Sequence, residues 1–160
     1  MGVTVPLSLE VPRPGTRGAT IPRLPGPLLR FTTNTIFRLF RNRRFMGFRV
    51  LMLTTLGART GQERRTVVGY FDDPHNPQAV IIVASAGGSA RHPDWYFNLA
   101  RHPDQVWIRV GERKLRVKPE LLSGAERAAA WERVVAEAPT YASYPTRTDR
   151  EIPLVRLTPA

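Results

Sequence analysis

Val50-Leu51-Met52-Leu53-Thr54-Thr55-Leu56-Gly57-Ala58-Arg59-Thr60-Gly61-Gln62-Glu63-Arg64-Arg65-Thr66-Val67-Val68-Gly69-Tyr70-Phe71 is the segment on which the fold reading turns. Val50 to Thr55 and Thr66 to Phe71 are short apolar runs. The Gly-bearing stretch Gly57 to Gln62 between them has the composition of a hairpin turn. Downstream, Ala79 to Ala84 is a continuous β-branched run, the signature of a buried central strand, and Ser85-Ala86-Gly87-Gly88-Ser89 breaks it. Val106, Ile108 and Val110 alternate with Trp107 and Arg109, and Leu115 and Val117 follow Gly111-Glu112, which predicts a second hairpin. Ile152 to Leu157 reads as a last strand.

Helices are interspersed. Pro27 suits the first turn of a helix over 28–42 with Leu29, Thr32, Ile36, Leu39 and Phe40 as its apolar stripe. His92-Pro93 opens a short helix through Trp95, Tyr96 and Leu99. Ser123-Gly124-Ala125-Glu126 fits a capping box ahead of a helix whose Ala128, Trp131, Val134, Val135 and Ala138 share a face, and Pro139 ends it. Thr140 to Thr148 reads as a loop. Antiparallel strands with few helices predict a mainly β, α+β domain, a small β-barrel or sheet.

Composition narrows the chemistry. At 160 residues, with 42% hydrophobic and 23% charged, the chain suits one globular domain with a real core. Cysteine is absent, which excludes disulfides, thiolate metal sites and thiol nucleophiles. His75, His92 and His102 lack metal-site spacing, so no metal is expected. The net charge of +11 is uneven: residues 1–50 hold nine Arg and one acid (9 − 1 = +8), and the remainder holds 15 bases and 12 acids (15 − 12 = +3). A local anionic partner fits that distribution better than a nucleic-acid-binding surface does. No apolar run approaches the roughly 20 residues of a membrane span, and no signal-peptide core is present, so a cytoplasmic location is expected.

Residues 1–27 carry six prolines among Gly and Arg, which predicts a flexible N-terminal arm ahead of a domain over 28–160. The basic helix 28–42 has two readings. Its apolar stripe packs on the domain, or the helix lies on an anionic membrane or lids a ligand site.

Three loops could carry chemistry. Gly57 to Thr66 sets Arg59, Arg64 and Arg65 around turn amides, suited to phosphate or carboxylate, although exposed hairpin arginines are usually only solvated. Ser85 to Ser89 lets backbone approach a flat ligand closely, or is an ordinary tight turn. Tyr141 and Tyr144 either cap a core edge or wall a pocket. No nucleophile elbow, Walker A or Rossmann fingerprint is present, and Asp72 and Asp73 read as turn residues. A cradle without an evident acid, base or nucleophile suits a reaction carried by a cofactor.

Taken in order, these segments resemble the deazaflavin-dependent nitroreductases. Leu53 to Gln62 with Arg64 is similar to the first family signature. Ala84-Ser85-Ala86-Gly87-Gly88 followed by His92-Pro93-Asp94-Trp95-Tyr96-Phe97-Asn98-Leu99 is similar to the second. Tyr141-Ala142-Ser143-Tyr144 and Thr148 to Pro153 resemble the C-terminal block. The resemblance implies a split β-barrel of the FMN-binding type and the deazaflavin coenzyme F-420 in preference to FMN. It implies hydride transfer to a quinone, nitroaromatic or other activated acceptor. Arg59, Thr60 and Arg64 would hold the phosphate and glutamate tail, and Gln62 and Val67 would also bind the coenzyme. Ala84, Ser85, Ala86, Gly87 and Gly88 would face the ring through backbone groups, Trp95 and Tyr96 would pack beside it, and Tyr141 and Tyr144 would line the acceptor pocket. Ala58 and Ala86 stand where relatives often carry a cation, and Ala138 where some carry a tyrosine. A non-catalytic lipid- or flavin-binding protein of the same barrel is the alternative.

Overall fold

Strand alternation decides which side chains face inward here, because successive residues of a strand point to opposite faces. The computed structural model describes residues 9–45 and 47–160. It contains strands β1 (Arg44–Phe45), β2 (Phe48–Leu56), β3 (Glu63–Asp72), β4 (Val80–Val83), β5 (Trp107–Val110), β6 (Arg113–Leu121) and β7 (Leu154–Pro159). The order β1-β2-β3-β4-β7-β6-β5, with β2 also paired to β5, closes six antiparallel strands into a barrel and leaves β1 as a short appendage. Of the barrel and the sheet that the strand pattern leaves open, this is the barrel with flanking helices that the family resemblance implies.

The barrel interior takes one parity of each strand: Leu51 and Leu53, Val68 and Tyr70, Ile82 and Ala84, Val155 and Leu157. The opposite parity builds a second layer outside the sheet. There Phe71, Ile81, Val83 and Leu154 pack under helix α3 (Gly124–Glu137) and Tyr141. Helix α2 (Asp94–Arg101) plugs one barrel end, burying Tyr96 and Leu99 in the interior cluster.

Helix α1 (Gly26–Phe40) crosses the outside of β2 and β3 and buries Thr33 and Phe37. The predicted stripe differs: Leu29 and Leu39 are exposed. Apolar residues occur on nearly every side of this helix, so the sequence alone does not select the buried side. Thr140 to Thr148 is also more regular than predicted. It forms a 3₁₀ turn over Pro139–Ser143 and a short helix α4 over Tyr144–Arg147. Ser123 sits at the N-cap of α3 but makes no side-chain cap bond, and the Glu126 carboxylate that a capping box would turn back to it lies 3.2 Å from Arg156.

Hydrogen bonds tie the described part of the segment expected as an N-terminal arm to the domain. Residues 10–19 form a strap across the domain. Glu10 O accepts from the Tyr96 hydroxyl at 2.5 Å, Gly15 N donates to Ala90 O at 2.8 Å, and Ala19 N donates to Gly88 O at 3.0 Å. Thr16 N and Oγ1 reach Asp149 at 2.8 and 2.5 Å. A proline-rich chain lacks a core pattern, but its backbone groups remain available to partners remote in sequence. The part of the expected arm over residues 1–8 lies outside the described residues.

Candidate functional site

The β2–β3 hairpin and α2 are pinned to one another by a single amide side chain. Buried Asn98 accepts from Ala58 N at 2.9 Å and donates to Thr55 Oγ1 at 3.4 Å. Between hairpin, α2 and the start of α1 opens a cavity of about 1190 Å³, lined by Arg23, Arg59, Arg64, Arg65 and Arg91 with Trp95 and Phe97. One carboxylate, Asp94, is on that wall. Five guanidinium groups against one carboxylate make an anion-attracting basin.

These arginines are not equivalent. Arg91 is paired to Asp94 at 2.6 Å and Arg65 to Glu63 at 2.8 Å. Arg59 and Arg64 have no ion pair or hydrogen bond with any described residue. The hairpin itself is rigid: Gly57 and Gly61 close the turn by backbone bonds of 2.8 Å, and Thr60 Oγ1 accepts from Gln62 N at 3.2 Å. A Cβ at Gly57 would lie 2.7 Å from Thr60 Oγ1, so a side chain there would displace the Thr60 hydroxyl from Gln62 N.

The second group of expected residues lies elsewhere. Ala84 is wholly buried and faces the barrel interior. From Ser85 the chain makes a left-handed turn, with Ala86 at φ 44°, Gly87 at 60° and Gly88 at 83°. A positive φ at alanine is strained, and such strain persists only where the surroundings hold it. Here Arg150 holds it, donating from Nη2 to Ser85 O and from Nε to Ser89 O, both at 2.7 Å. Ile21 lies over Gly87 and Arg147 against Gly88, positions where a Cβ would meet them at 3.3 and 2.8 Å.

The resemblance pairs Trp95 and Tyr96, and the structure separates them. Trp95 lines the cavity, whereas Tyr96 is fully buried and its hydroxyl bonds to the strap. Burial, with the charges of Glu10 and Glu151, pushes the Tyr96 phenol up to about 12. Gln62 is exposed at the hairpin end, and Val67 is half-buried on the outer side of β3.

Tyr141 packs edge-on against Phe71 and Phe48, with ring centroids at 5.4 and 5.6 Å, and Tyr144 follows at 5.2 Å. Gly69 on β3 leaves room for this cluster, since a Cβ there would lie 2.7 Å from Phe48 and 3.0 Å from the Tyr141 hydroxyl. Burial, then Tyr144, raises the Tyr141 phenol well above its ordinary value, so it stays protonated as a neutral donor. Ala138 is buried in the same layer. Arg65, Val67 and Gly69 share the outer face of β3, which spans roughly 13 Å from the arginine rim to Tyr141.

The sequence reading missed the fastening residues. His92 and Arg150 are both buried, as are Asp73 and Arg156, which form an ion pair behind the β4–β7 sheet. Asp73 follows directly on exposed Asp72, which instead pairs with Arg49 at 3.0 Å. Only a partner remote in sequence distinguishes the two, so no local signal could have found this pair.

Comparison with known proteins agrees with this architecture. A family model described as F420H(2)-dependent quinone reductase matches residues 30–159. An F420H(2)-dependent quinone reductase of Mycobacterium tuberculosis is 43% identical over 112 residues, covering 68% of this chain and 72% of the relative. A solved F420-H2 dependent reductase is 34% identical with a TM-score of 0.60, covering 68% of this chain and 92% of the other. A second solved chain, described as a domain-swapped dimer, is 30% identical with a TM-score of 0.61 over 84% of this chain and 99% of its own.

Proposed function

Because this chain belongs to the F420H(2)-dependent quinone reductase family, we propose that it binds the reduced deazaflavin coenzyme F-420 and passes hydride to a quinone. One observation carries the reading at the level of residues. Arg59 and Arg64 stand on the cavity rim without partners among the described residues, beside Arg65 and Arg91, which are already paired. Two available guanidinium groups on a rigid hairpin fit the phosphodiester and carboxylates of the coenzyme. Ala58 and Ala86 supply no cation, so Arg59 and Arg64 carry the larger share of that attraction.

The bound coenzyme supplies the hydride. The chain supplies the rest. Arg59, Thr60, Gln62 and Arg64 would hold the anionic end, and Trp95 would adjoin the ring. Val67, on the outer face of β3 with Gly69, and the turn Ser85-Ala86-Gly87-Gly88 would adjoin the ring, while Ala84 and Tyr96 support that wall from within. Tyr141, kept neutral, would donate a hydrogen bond to oxygen on an acceptor as negative charge develops there, with Tyr144 beside it.

The test is a fluorescence titration with coenzyme F-420, FMN and NADPH in parallel, followed by single-turnover oxidation with a quinone. Preferred binding of the deazaflavin and loss of its reduced form support the reading. Tight binding without turnover means the non-catalytic barrel instead. Tyr141→Phe should lower kcat by about tenfold or more with coenzyme affinity unchanged, and unaltered turnover leaves Tyr141 as packing.

The peripheral membrane reading of α1 finds support in its outer face. Leu28, Phe31 and Leu39 lie within one turn-to-turn stripe, with Phe31 68% and Leu39 62% exposed, and Arg38 beside it. No described helix is long and apolar enough to cross a membrane. Flotation with anionic vesicles tests this, and loss of binding in Phe31→Ser with Leu39→Ser is the expected result.

A further inference from the structure

The left-handed turn and the N-terminal strap meet at one buried pair, His92 and Arg150. Arg150 is 6% exposed and has no carboxylate partner among the described residues. Its donors go to Ser85 O, Ser89 O and Glu151 O, and its Nη1 lies 3.2 Å from His92 Nδ1. A guanidinium can only donate, so His92 Nδ1 must accept. The imidazole is therefore neutral with its hydrogen on Nε2, which donates to Pro12 O of the strap at 2.8 Å. One chain of hydrogen bonds thus runs from the strained turn through Arg150 and His92 into the strap.

The strap returns to the same turn further on, at Ala19 N to Gly88 O, and Ile21 covers Gly87. The residues on either side of His92, Arg91 and Pro93, line the arginine cavity, as does Arg23 just beyond the strap. We propose that Arg150 is a positioning residue which, through neutral His92, locks the strap over the turn Ser85–Ser89, and that protonation of His92 opens this lock and loosens the adjoining cavity wall. Its bearing on the coenzyme rests on the function proposed above; the lock itself does not.

A second proton on His92 would point an N–H at the guanidinium, losing one hydrogen bond and adding like-charge repulsion in a buried place. Burial, then the Arg150 charge, already disfavours that proton, against the opposing hydrogen bond to Pro12. Of the other charged and titratable groups around the pair, Glu10, Arg13 and Arg17 are on the strap, Arg91 and Asp94 form their own pair, Tyr96 of α2 has its ring 5.5 Å from that of His92, and Asp149 and Glu151 flank Arg150. Asp149, held by Thr16 and the Arg17 amide, is pulled down to about 2 and keeps its charge across the working range.

The sign follows by linkage. A base whose proton is disfavoured in the locked state stabilises the lock fully above the ordinary value of 6.5 and progressively less as pH falls below it. Amide hydrogen exchange on the full chain without ligand, corrected for intrinsic rates, reads this directly. Protection of the Gly15 and Ala19 amides should be constant above about pH 7 and fall by up to about tenfold at pH 5.5. His92→Asn keeps an acceptor toward Arg150 but loses Pro12, and His92→Gln can reach Pro12 again. Both should abolish the pH response, with strap protection lower in the first and partly restored in the second. Arg150→Lys keeps the charge but not the fork, and should cut protection of the Gly88 and Ser89 amides about tenfold or more. If Arg150→Lys does not fold, the His92 variants decide. A wild-type strap with no pH response, or an equal response in His92→Asn, overturns the lock. Coenzyme titration at both pH values separates the two readings. Binding with an unresponsive strap overturns the lock alone, and a responsive strap without binding overturns the coenzyme reading alone.

Discussion

The rim of the cavity and the back of the barrel wall both depend on arginine, and they use it in opposite ways. Arg59 and Arg64 on the β2–β3 hairpin face solvent and touch no described acceptor. Arg150 and Arg156 are buried at 6% and 8% exposure, and their donors are spent on carbonyls, a histidine and three carboxylates. The side chain is the same and the charge is the same. A guanidinium whose partners are supplied by the fold acts as a rivet, and one whose partners are withheld is left for a ligand.

The comparison breaks most decisively at Asp73. Its side chain is completely buried against that of Arg156. Burial pushes the carboxyl up, but the Arg156 hydrogen bond and the amides of His75 and Asn76 outweigh that and leave it below its ordinary value. Asp73→Ala strands a buried cation and should cost about 3–5 kcal/mol in urea denaturation, with coenzyme affinity of the folded fraction unchanged. A cost below about 1 kcal/mol would mean Glu120 and Glu126 suffice for Arg156. Since the folded carboxyl is the stronger acid, the pair's contribution should persist above the ordinary value of 3.8 and decline as pH falls below it.

Next in size is the strap. Deleting residues 1–19 removes the bonds at Glu10, Pro12, Gly15, Thr16 and Ala19, together with Leu9, which packs on the interior cluster. At about 1 kcal/mol per hydrogen bond, less the entropy of ordering the segment, roughly 2 kcal/mol is at stake. The melting midpoint should fall by about 5 °C. A midpoint unmoved within a degree or two would restore the segment to the status of an arm.

The rim arginines should give the mirror image. Arg64→Ala should leave stability unchanged within about 0.5 kcal/mol, as surface substitutions do. It should weaken coenzyme binding about tenfold at low salt, equivalent to about 1.4 kcal/mol. Arg59→Ala, one residue from the turn tip, should be milder. Added salt should shrink both losses, and a deazaflavin lacking the anionic tail should bind wild type and variants alike. Loss of the tail-less analogue to the same degree would place these arginines with the rivets.

Much of this was legible in the chain itself. The runs at Val50–Thr55, Thr66–Phe71 and Ala79–Ala84 became β2, β3 and β4, because alternation and β-branching are local properties. The hairpin arginines were found for the same reason, since the turn glycines mark the place and Arg59 and Arg64 flank it. The buried side of α1 was not legible, because Leu29, Phe31, Ile36, Phe37 and Leu39 surround the helix and only contact with β2 and β3 chooses Phe37. The resemblance groups Tyr96 with Trp95, but a helix sends neighbouring residues about 100° apart, here one into the core and one into the cavity.

The sequence by itself determined the antiparallel strands, the basic hairpin and an N-terminal excess of positive charge, because periodicity, turn chemistry and composition are written within a few consecutive residues. The tertiary structure alone decided which arginines are spent and which are available, and that a proline-rich segment is a strap. Arg150 lies 58 residues from His92, and Arg156 lies 83 from Asp73. Whether a charge is paired depends on what the closed barrel brings within about 3 Å of it, and sequence spacing carries no record of that distance.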